Sequence, residues 1–166
     1  MRIDVALTAH TAGAMPLAGV SVLVIDVLRA STSIITALIN GCAAVIPVAT
    51  AEEAHQRAGA LPSHTVLIAG ERGAISLEDH ACAGLLVDRL QQEEPAAELS
   101  PTAREALAVG RRYGKDVGRL GEDSSWARHL TSRGRGRDVA ACLMLDTRTV
   151  VPVYRPNVDN VVIGSR

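Results

Sequence analysis

Short apolar runs and helix-spaced apolar positions alternate along the first half of the chain. The runs at residues 3–7, 20–28, 43–48 and 64–70 are rich in β-branched residues and nearly continuous, which is typical of strands buried on both faces. The segments between them carry Ser or Thr where a helix would begin. This alternation predicts an α/β fold with a parallel or mixed sheet flanked by helices.

The second half of the chain is predicted to be mainly helical, because helix start signals follow one another without long apolar runs between them. Ser76 with Asp79 forms a capping box like that of Thr50 with Glu53 in the first half, and Ser100 precedes a proline at the first helical position. A last apolar run at 149–154 predicts a final strand. We therefore expect one domain over residues 1–166, with a helical C-terminal half.

Composition narrows the classes of partner. Formal net charge is −1 and aromatic residues make up 2% of the chain, so neither nucleic acid nor an anionic membrane attracts it globally. A basic excess over residues 104–137 could serve nucleic-acid binding, but stacking platforms are almost absent and a solvated helix face is favoured. Three scattered cysteines predict reduced thiols, and without a secretory signal or membrane-length run we expect a cytoplasmic location.

The segment VIDVLRASTS, residues 24–33, carries the main candidate chemistry. The first turn of a helix is an anion site, because its N–H groups and the dipole favour negative charge. Ser31, Thr32 and Ser33 could add hydroxyl donors, Arg29 a bidentate clamp, and Asp26 a ligand for Mg²⁺. The simpler alternative is that Ser31 caps the helix and Asp26 pairs with Arg29.

Two further acidic segments are candidates. Glu71 and Arg72 lie between glycines after the run at 64–70, which suits a ligand loop or an ordinary turn. Glu78 and Asp79 could bind metal or merely complement the dipole of a helix that starts at Ser76.

Other phosphate and metal chemistries fit less well. The pattern of a P-loop is absent, and Leu28 stands where a phosphoaspartyl hydrolase has its second acid. Cys142 and Arg148 match the spacing of cysteine phosphatases, but the residues between them favour the end of a helix. His80 and Cys82 lack further ligands at zinc-site spacing.

The long segments VLVIDVLRASTSIITALINGCAAVIPVATAEEA and GERG, followed by SLEDHACAG, LSPTAREAL and RDVAACLMLDTRTVVPV, closely resemble the 2-phosphosulfolactate phosphatases in the same order. The resemblance covers residues 1–154. It implies a Mg²⁺-dependent phosphatase that converts 2-phospho-3-sulfolactate to sulfolactate and phosphate, a step of coenzyme M synthesis in some organisms.

Site residues carried over by position follow from this resemblance. Asp26 would be a metal-binding or catalytic acid, and Asp26 or Glu71 would orient the attacking water. The phosphate cradle would be Arg29 and Ser31–Ser33, with Arg72 as a second substrate-binding arginine. Glu78 and Asp79 match the later acidic motif and are the further metal ligands expected.

The chain departs from the family pattern in the middle. Family members carry a central block between GERG and SLED, with Asp-x-Gly-Asn-Ser-Pro and Thr-Asn-Gly-Thr stretches, and here about two residues join the halves. We therefore expect a shortened member, and a catalytically impaired anion-binding or interaction protein is the alternative. Because lost strands leave edges and apolar surface uncovered beside the run at 64–70, we also expect self-association.

Overall fold

The computed structural model describes residues 1–58, 66–69 and 75–164, with residues 66–69 described by their backbone. Two compact units are present: the first unit comprises Met1–Leu28 and Gly73–Met144, and the second comprises Arg29–Arg72 and Leu145–Arg166. The single domain expected over residues 1–166 stays a prediction.

Strands and helices follow one another in both units. The strands are β1 (Arg2–Ile3), β2 (Val45–Val48), β3 (Val66–Ala69), β4 (Glu98–Leu99), β5 (Pro152–Arg155) and β6 (Asn160–Ile163). The α-helices are α1 (Ala9–Gly13), α2 (Ala30–Ile39), α3 (Ala51–Ala58), α4 (Leu77–Glu93), α5 (Pro101–Tyr113), α6 (Leu120–Asp123), α7 (Ser125–Leu130) and α8 (Gly136–Cys142). A 3-10 turn at Val117–Arg119 precedes α6. A kinked segment at Thr131–Arg135, in which Arg133 and Gly134 leave the helical conformation, joins α7 to α8.

The first unit is mainly helical. Strands β1 and β4 form a short parallel pair, and helices α4 and α5 pack against each other along their lengths. Serine caps start α4 and α5 as the sequence predicts, and a third serine cap starts α7. The hydroxyls of Ser76, Ser100 and Ser124 each accept a hydrogen bond from the backbone N–H three residues on. These bonds satisfy first-turn donors that have no partner inside a helix.

Two glycines bring α4 and α5 unusually close. A Cβ built on Gly84 would lie 1.8 Å from the carbonyl oxygen of Ala106, and one built on Gly110 would lie 2.4 Å from the carbonyl carbon of Gly84. Both contacts are with backbone, which cannot move aside as a flexible side chain can. The two helices therefore pack backbone against backbone at this crossing.

The second unit contains a four-stranded mixed sheet in the order β3-β2-β6-β5. Parallel β2 and β3 are joined through α3, while β6 pairs antiparallel with both β2 and β5. Helices α2 and α3 flank the sheet, and Leu38 of α2 packs with Val45 and Val161 in the core of the unit. The expected α/β fold with a mixed sheet, flanking helices and a helical C-terminal half is confirmed.

Local predictions in the second unit also hold. Thr50 accepts from the N–H of Glu53 at 3.1 Å, and the Glu53 carboxylate accepts from the N–H of Ala49 at 2.9 Å. One expectation fails here: Pro47 in the run at 43–48 suggests an edge strand or a strand end, but it lies inside the central strand β2, paired with Ile68 of β3. A proline has no N–H to donate, and Pro47 lies beyond the recorded β2–β6 pair at Val45.

A short polar cluster joins α3 to the β5–β6 hairpin. Asp159, with a φ of 47°, accepts from Arg57 at 2.6 Å and from the Tyr154 hydroxyl at 2.6 Å. The Tyr154 hydrogen bond, followed by Arg57, holds the pKa of the Asp159 carboxyl below its usual value. Arg57 also pairs with Glu53 at 2.8 Å, so one arginine connects the helix to the hairpin turn.

Several predicted elements are wrong. Residues 20–28 form no strand, and the strand expected at 3–7 is confined to Arg2–Ile3. A strand requires a partner for its backbone. The described residues show no such partner for residues 20–28, and an apolar pattern does not reveal whether a partner is present. Arg29, not Ser31, is the N-cap residue of α2, while strands β4 and β6 had no sequence signal that we recognised.

None of the three cysteines, Cys42, Cys82 and Cys142, forms a disulfide, which agrees with the reduced thiols that the sequence predicts. Within the described residues, no helix combines the length and the apolar character needed to cross a membrane.

Candidate active site

Asp26 begins a short turn that the first unit holds by its backbone. The N–H of Val27 donates to Asp79 Oδ1 at 2.7 Å, and Trp126 Nε1 donates to the carbonyl oxygen of Leu28 at 3.0 Å. Leu28 is buried in the same core cluster against which Trp126 packs. The acid singled out by the sequence is therefore placed by two side chains far from it in the chain.

Asp79 occupies a mixed environment at the start of α4. Burial raises the pKa of the Asp79 carboxyl above its usual value, the hydrogen bonds from Val27 and Ser76 oppose this, and the nearby charges of Asp26 and Glu78 add to the rise. The other two acids predicted as metal ligands, Asp26 and Glu78, thus lie within electrostatic reach of Asp79. A cation near them would be favourable, because it would relieve repulsion between like charges.

We expect Asp79→Asn to make the protein more stable at neutral pH, by up to about 1 kcal/mol because the site is partly solvated. The folded state raises the pKa of Asp79, so it binds more protons than the unfolded state, and its stability falls as pH rises from about 4. An asparagine at this position removes this loss of stability with rising pH, while its amide oxygen still accepts the hydrogen bond from the N–H of Val27.

Denaturant unfolding of both proteins across pH 4 to 8 measures the effect, with Asp79→Ala as the control that also removes the acceptor. A lower stability of Asp79→Asn at pH 7 would contradict the prediction, since the ionised carboxylate would then contribute more than it costs.

Glu78 is 1% exposed and has a structural contact. Ser124 Oγ donates to Glu78 Oε2 at 2.6 Å and accepts from the N–H of Ala127 at 3.1 Å. The Ser124 hydroxyl therefore stabilises a buried carboxylate and starts α7 at the same time. The sequence did not single out Ser124, because no local pattern links it to Glu78, which lies 46 residues earlier in the chain.

Ser124→Ala is expected to lower the free energy of unfolding by about 2 kcal/mol, since it removes a charge-assisted hydrogen bond and a helix cap. Ser100→Ala is the matched control, because Ser100 caps α5 similarly while its neighbouring acid, Asp4, is exposed. It should cost about 1 kcal/mol. Equal losses in urea unfolding would show that the contact with Glu78 adds nothing.

The start of α2 lies in the second unit. Arg29 is its N-cap residue and makes no side-chain cap hydrogen bond, and Ser31, Thr32 and Ser33 occupy the first turn. Ser33 Oγ donates to the carbonyl oxygen of Arg29 at 2.9 Å. That hydroxyl proton is used inside the helix, while Ser31 and Thr32 are both partly buried.

The structure describes only some of the remaining residues that the sequence analysis considered for a site. Glu71 and Arg72 lie outside the described residues. Among residues 1–58 and 75–164, no three His, Cys, Asp or Glu side chains are arranged to hold a metal ion. Burial, with the charge of Asp79, raises the pKa of the Cys82 thiol, which disfavours a reactive thiolate. Cys142 ends α8 and packs against the core.

Comparison with known proteins matches the chain to one family. The model of the 2-phosphosulpholactate phosphatase family matches residues 7–77 and 72–157. The two matched stretches meet at residues 72–77, where the sequence predicts that a central block is missing.

Curated relatives agree with this match. Three of them are each named a probable 2-phosphosulfolactate phosphatase. The protein of Clostridium perfringens (strain 13) is 44% identical over 80 residues, 47% of this chain and 32% of the relative. The protein of Symbiobacterium thermophilum is 47% identical over 66 residues, which are 40% of this chain and 28% of the relative. The protein of Clostridium tetani is 39% identical over 82 residues, which are 49% of this chain and 35% of the relative. The matched part of this chain spans about a third of the relatives' length. Because the family model covers most of the chain in two consecutive stretches, the protein belongs to the 2-phosphosulpholactate phosphatase family.

Proposed function

We propose that the protein hydrolyses 2-phospho-3-sulfolactate, or a similar small anionic phosphomonoester, to 3-sulfolactate and phosphate. The observation that carries the proposal is the family match over residues 7–77 and 72–157, which includes the whole segment from Asp26 to Ser33. The names of the relatives support the same activity. Since this chain matches about a third of each relative, its own activity requires a direct test.

Phosphate binding is assigned to the start of α2. The ten-residue helix directs its first-turn N–H groups and the positive end of its dipole outward. Arg29 at the N-cap would donate two hydrogen bonds to phosphoryl oxygens, with Ser31 and Thr32 adding hydroxyl donors. Ser33 supports this turn through its bond to the Arg29 carbonyl. Such an arrangement favours a substrate that carries several negative charges.

Hydrolysis requires a water molecule to attack phosphorus while the bond to the C2 oxygen breaks and that oxygen takes a proton. Asp26 or Glu71 would orient the water, and Arg29 and Arg72 would stabilise the charge that develops on the phosphoryl oxygens. Glu71 and Arg72 enter here through the family motif.

Mg²⁺ is part of the proposal. Mg²⁺ is commonly held by one or two carboxylates together with substrate phosphate, and it keeps several waters. Asp26 and Asp79 would supply such a pair. Glu78 is the weaker candidate among the three acids, since Ser124 already bonds its carboxylate. When bound, the ion would neutralise charge on the transferred phosphoryl group.

The test is phosphate release from 2-phospho-3-sulfolactate by purified protein, with Mg²⁺ and with EDTA, and with 2-phospholactate as the analogue that lacks the sulfonate. We expect turnover that requires Mg²⁺ and is faster with the sulfonate present. No release above background from folded protein would overturn the phosphatase.

The alternative function is anion binding without turnover, in a catalytically impaired member. Its supporting observation is the short match, since the chain aligns with about a third of each relative and its two matched stretches meet at residues 72–77. Calorimetry with phosphate and 3-sulfolactate separates the two proposals, since binding without hydrolysis supports only the second. For both we propose a cytoplasmic protein whose partners are small anions, with no nucleic acid or membrane involved.

A further inference from the structure

Trp126 is the single tryptophan of the chain, and tertiary contacts hold its side chain. It lies in α7, partly buried, and packs against the core cluster of the first unit that includes Leu28. Its ring stacks on that of His129, with 5.1 Å between the ring centroids and 14° between the planes. Its indole N–H donates to the carbonyl oxygen of Leu28 at 3.0 Å, across 98 residues of sequence. An indole ring has one donor, and the packing directs it at the backbone that follows Asp26.

A buried contact between α4 and α7 sets the position of Trp126. Ser124, the N-cap residue of α7, lies two residues before Trp126 and donates to Glu78 of α4 at 2.6 Å. Both partners of this hydrogen bond are 1% exposed, so breaking it would leave a buried carboxylate without this donor. The next residue of α4, Asp79, accepts from the N–H of Val27 at 2.7 Å. The first turns of two helices that contact each other thus hold the same short turn, one by an N–H and the other by a carbonyl.

This short turn depends on the two hydrogen bonds because no regular secondary structure fixes it. Residues 26–28, all within the described part of the chain, belong to no helix or strand. The N–H of Val27 belongs to the peptide bond that follows Asp26, so the bond to Asp79 fixes the peptide plane next to this acid. The bond from Trp126 fixes a second plane at Leu28. Two fixed planes narrow the directions that the Asp26 side chain can take.

We propose that Trp126 is a positioning residue of the phosphatase site, which holds the Leu28 carbonyl so that the Asp26 carboxylate keeps the direction that hydrolysis requires. The inference rests on the proposed function, in which Asp26 is a candidate to orient the attacking water and to bind Mg²⁺. Catalytic groups must be held within about 0.5 Å of their productive positions, and a displacement of about 1 Å can cost about 10²-fold in rate. Trp126 therefore contributes to the rate without contacting the reacting atoms.

Trp126→Phe removes the donor and keeps an aromatic ring in the core. We expect kcat for 2-phospho-3-sulfolactate at saturating Mg²⁺ to fall about tenfold or more, with KM changed by less than about twofold. The split is expected because Asp26 acts on the water and the metal ion of the chemical step, while the proposed phosphate contacts come from the start of α2. A substitution that only loosened the core would reduce the amount of folded protein and leave kcat per folded molecule unchanged.

A tryptophan analogue in which sulfur replaces the indole N–H isolates the hydrogen bond. Because the chain has one tryptophan, uniform incorporation of the analogue changes only position 126. The two-ring shape and the stacking on His129 are kept, whereas the donor to Leu28 is lost. We expect kcat to fall as it does in Trp126→Phe, so the result does not depend on how the smaller phenylalanine ring packs.

Tyr113→Phe is the matched control. Tyr113 belongs to the same core cluster, and its hydroxyl donates to Asp123 at 2.8 Å. The substitution also removes one hydrogen bond from an aromatic side chain, but this bond does not involve the turn at Asp26. It should keep the wild-type kcat and KM. An equal fall of kcat in Tyr113→Phe and Trp126→Phe would trace the loss to the core as a whole and would overturn the positioning role.

Hydrogen exchange of the Val27 amide tests the positioning without turnover. This N–H is bonded to Asp79, so it exchanges when the turn opens. We expect the exchange to be about tenfold faster in Trp126→Phe, because one of the two hydrogen bonds that close the turn is lost. Tyr113→Phe should leave the exchange unchanged.

The outcomes separate this inference from the proposed function. A wild-type protein that releases no phosphate overturns the phosphatase, and the exchange of Val27 then decides by itself whether Trp126 holds the turn. An active wild-type protein with unchanged kcat in Trp126→Phe overturns the positioning role. Unchanged exchange of Val27 in Trp126→Phe overturns it as well, whether or not the protein is active.

Discussion

Gly84→Ala is expected to lower the free energy of unfolding by about 3 kcal/mol or more. The added Cβ would lie 1.8 Å from the carbonyl oxygen and 2.6 Å from the carbonyl carbon of Ala106. Helices α4 and α5 would have to separate, which opens the core that Val87 and Leu107 form with Ala103. Denaturant unfolding followed by circular dichroism measures the loss.

Gly121→Ala provides the control for this substitution. Gly121 is also a helical glycine of the first unit, but its added Cβ would meet Leu143 at an ordinary 3.6 Å. Because alanine favours a helix over glycine, this variant should be unchanged or more stable by up to about 1 kcal/mol. If Gly84→Ala behaves in the same way, the close helix crossing does not exist in solution.

Arg29→Ala is expected to lower kcat/KM for 2-phospho-3-sulfolactate by about 10²- to 10³-fold, if the proposed phosphatase activity is present. The guanidinium is the cation at the start of α2, and its loss removes stabilisation of charge on the phosphoryl oxygens. Arg29→Lys should recover only part of the rate, since an ammonium group cannot make the bidentate contact.

Arg89→Ala is the matched control, because Arg89 is an exposed arginine that pairs with Glu93 one turn along α4. It should keep the wild-type rate. In the alternative without turnover, calorimetry of Arg29→Ala with phosphate should show weaker binding. Unchanged catalysis and unchanged anion binding in Arg29→Ala would remove this arginine from the site.

Local signals predicted the parts of the fold that depend on neighbours in sequence. The caps at Ser76, Ser100 and Thr50 needed only a hydroxyl three residues before an unpaired N–H. Strands β2 and β3, which flank α3, followed from apolar runs of strand length. Their parallel pairing in turn followed from the helix between them.

The same local signals failed where strand formation depends on contacts with residues far away in the sequence. The run at 20–28 has the composition of a buried strand, yet no partner is recorded for it in the described part of the chain, and Val20, Val22 and Val24 are exposed. Strand β6 completes the sheet by pairing with both β2 and β5. Strands β2 and β6 are more than a hundred residues apart in the sequence. No local pattern specifies such a pairing.

For the candidate site, the sequence by itself identified Asp26, Arg29 and the hydroxyl cluster, because an acid, a base and donors at a helix start are a local arrangement. It also determined the family, through long motifs in a fixed order. Only the tertiary structure decided that Asp79 holds the N–H of Val27, that Trp126 holds Leu28, and that Ser124 bonds the buried Glu78. The physical reason is burial: which acid loses its water, and which donor replaces that water, depends on residues that folding brings together from distant parts of the chain.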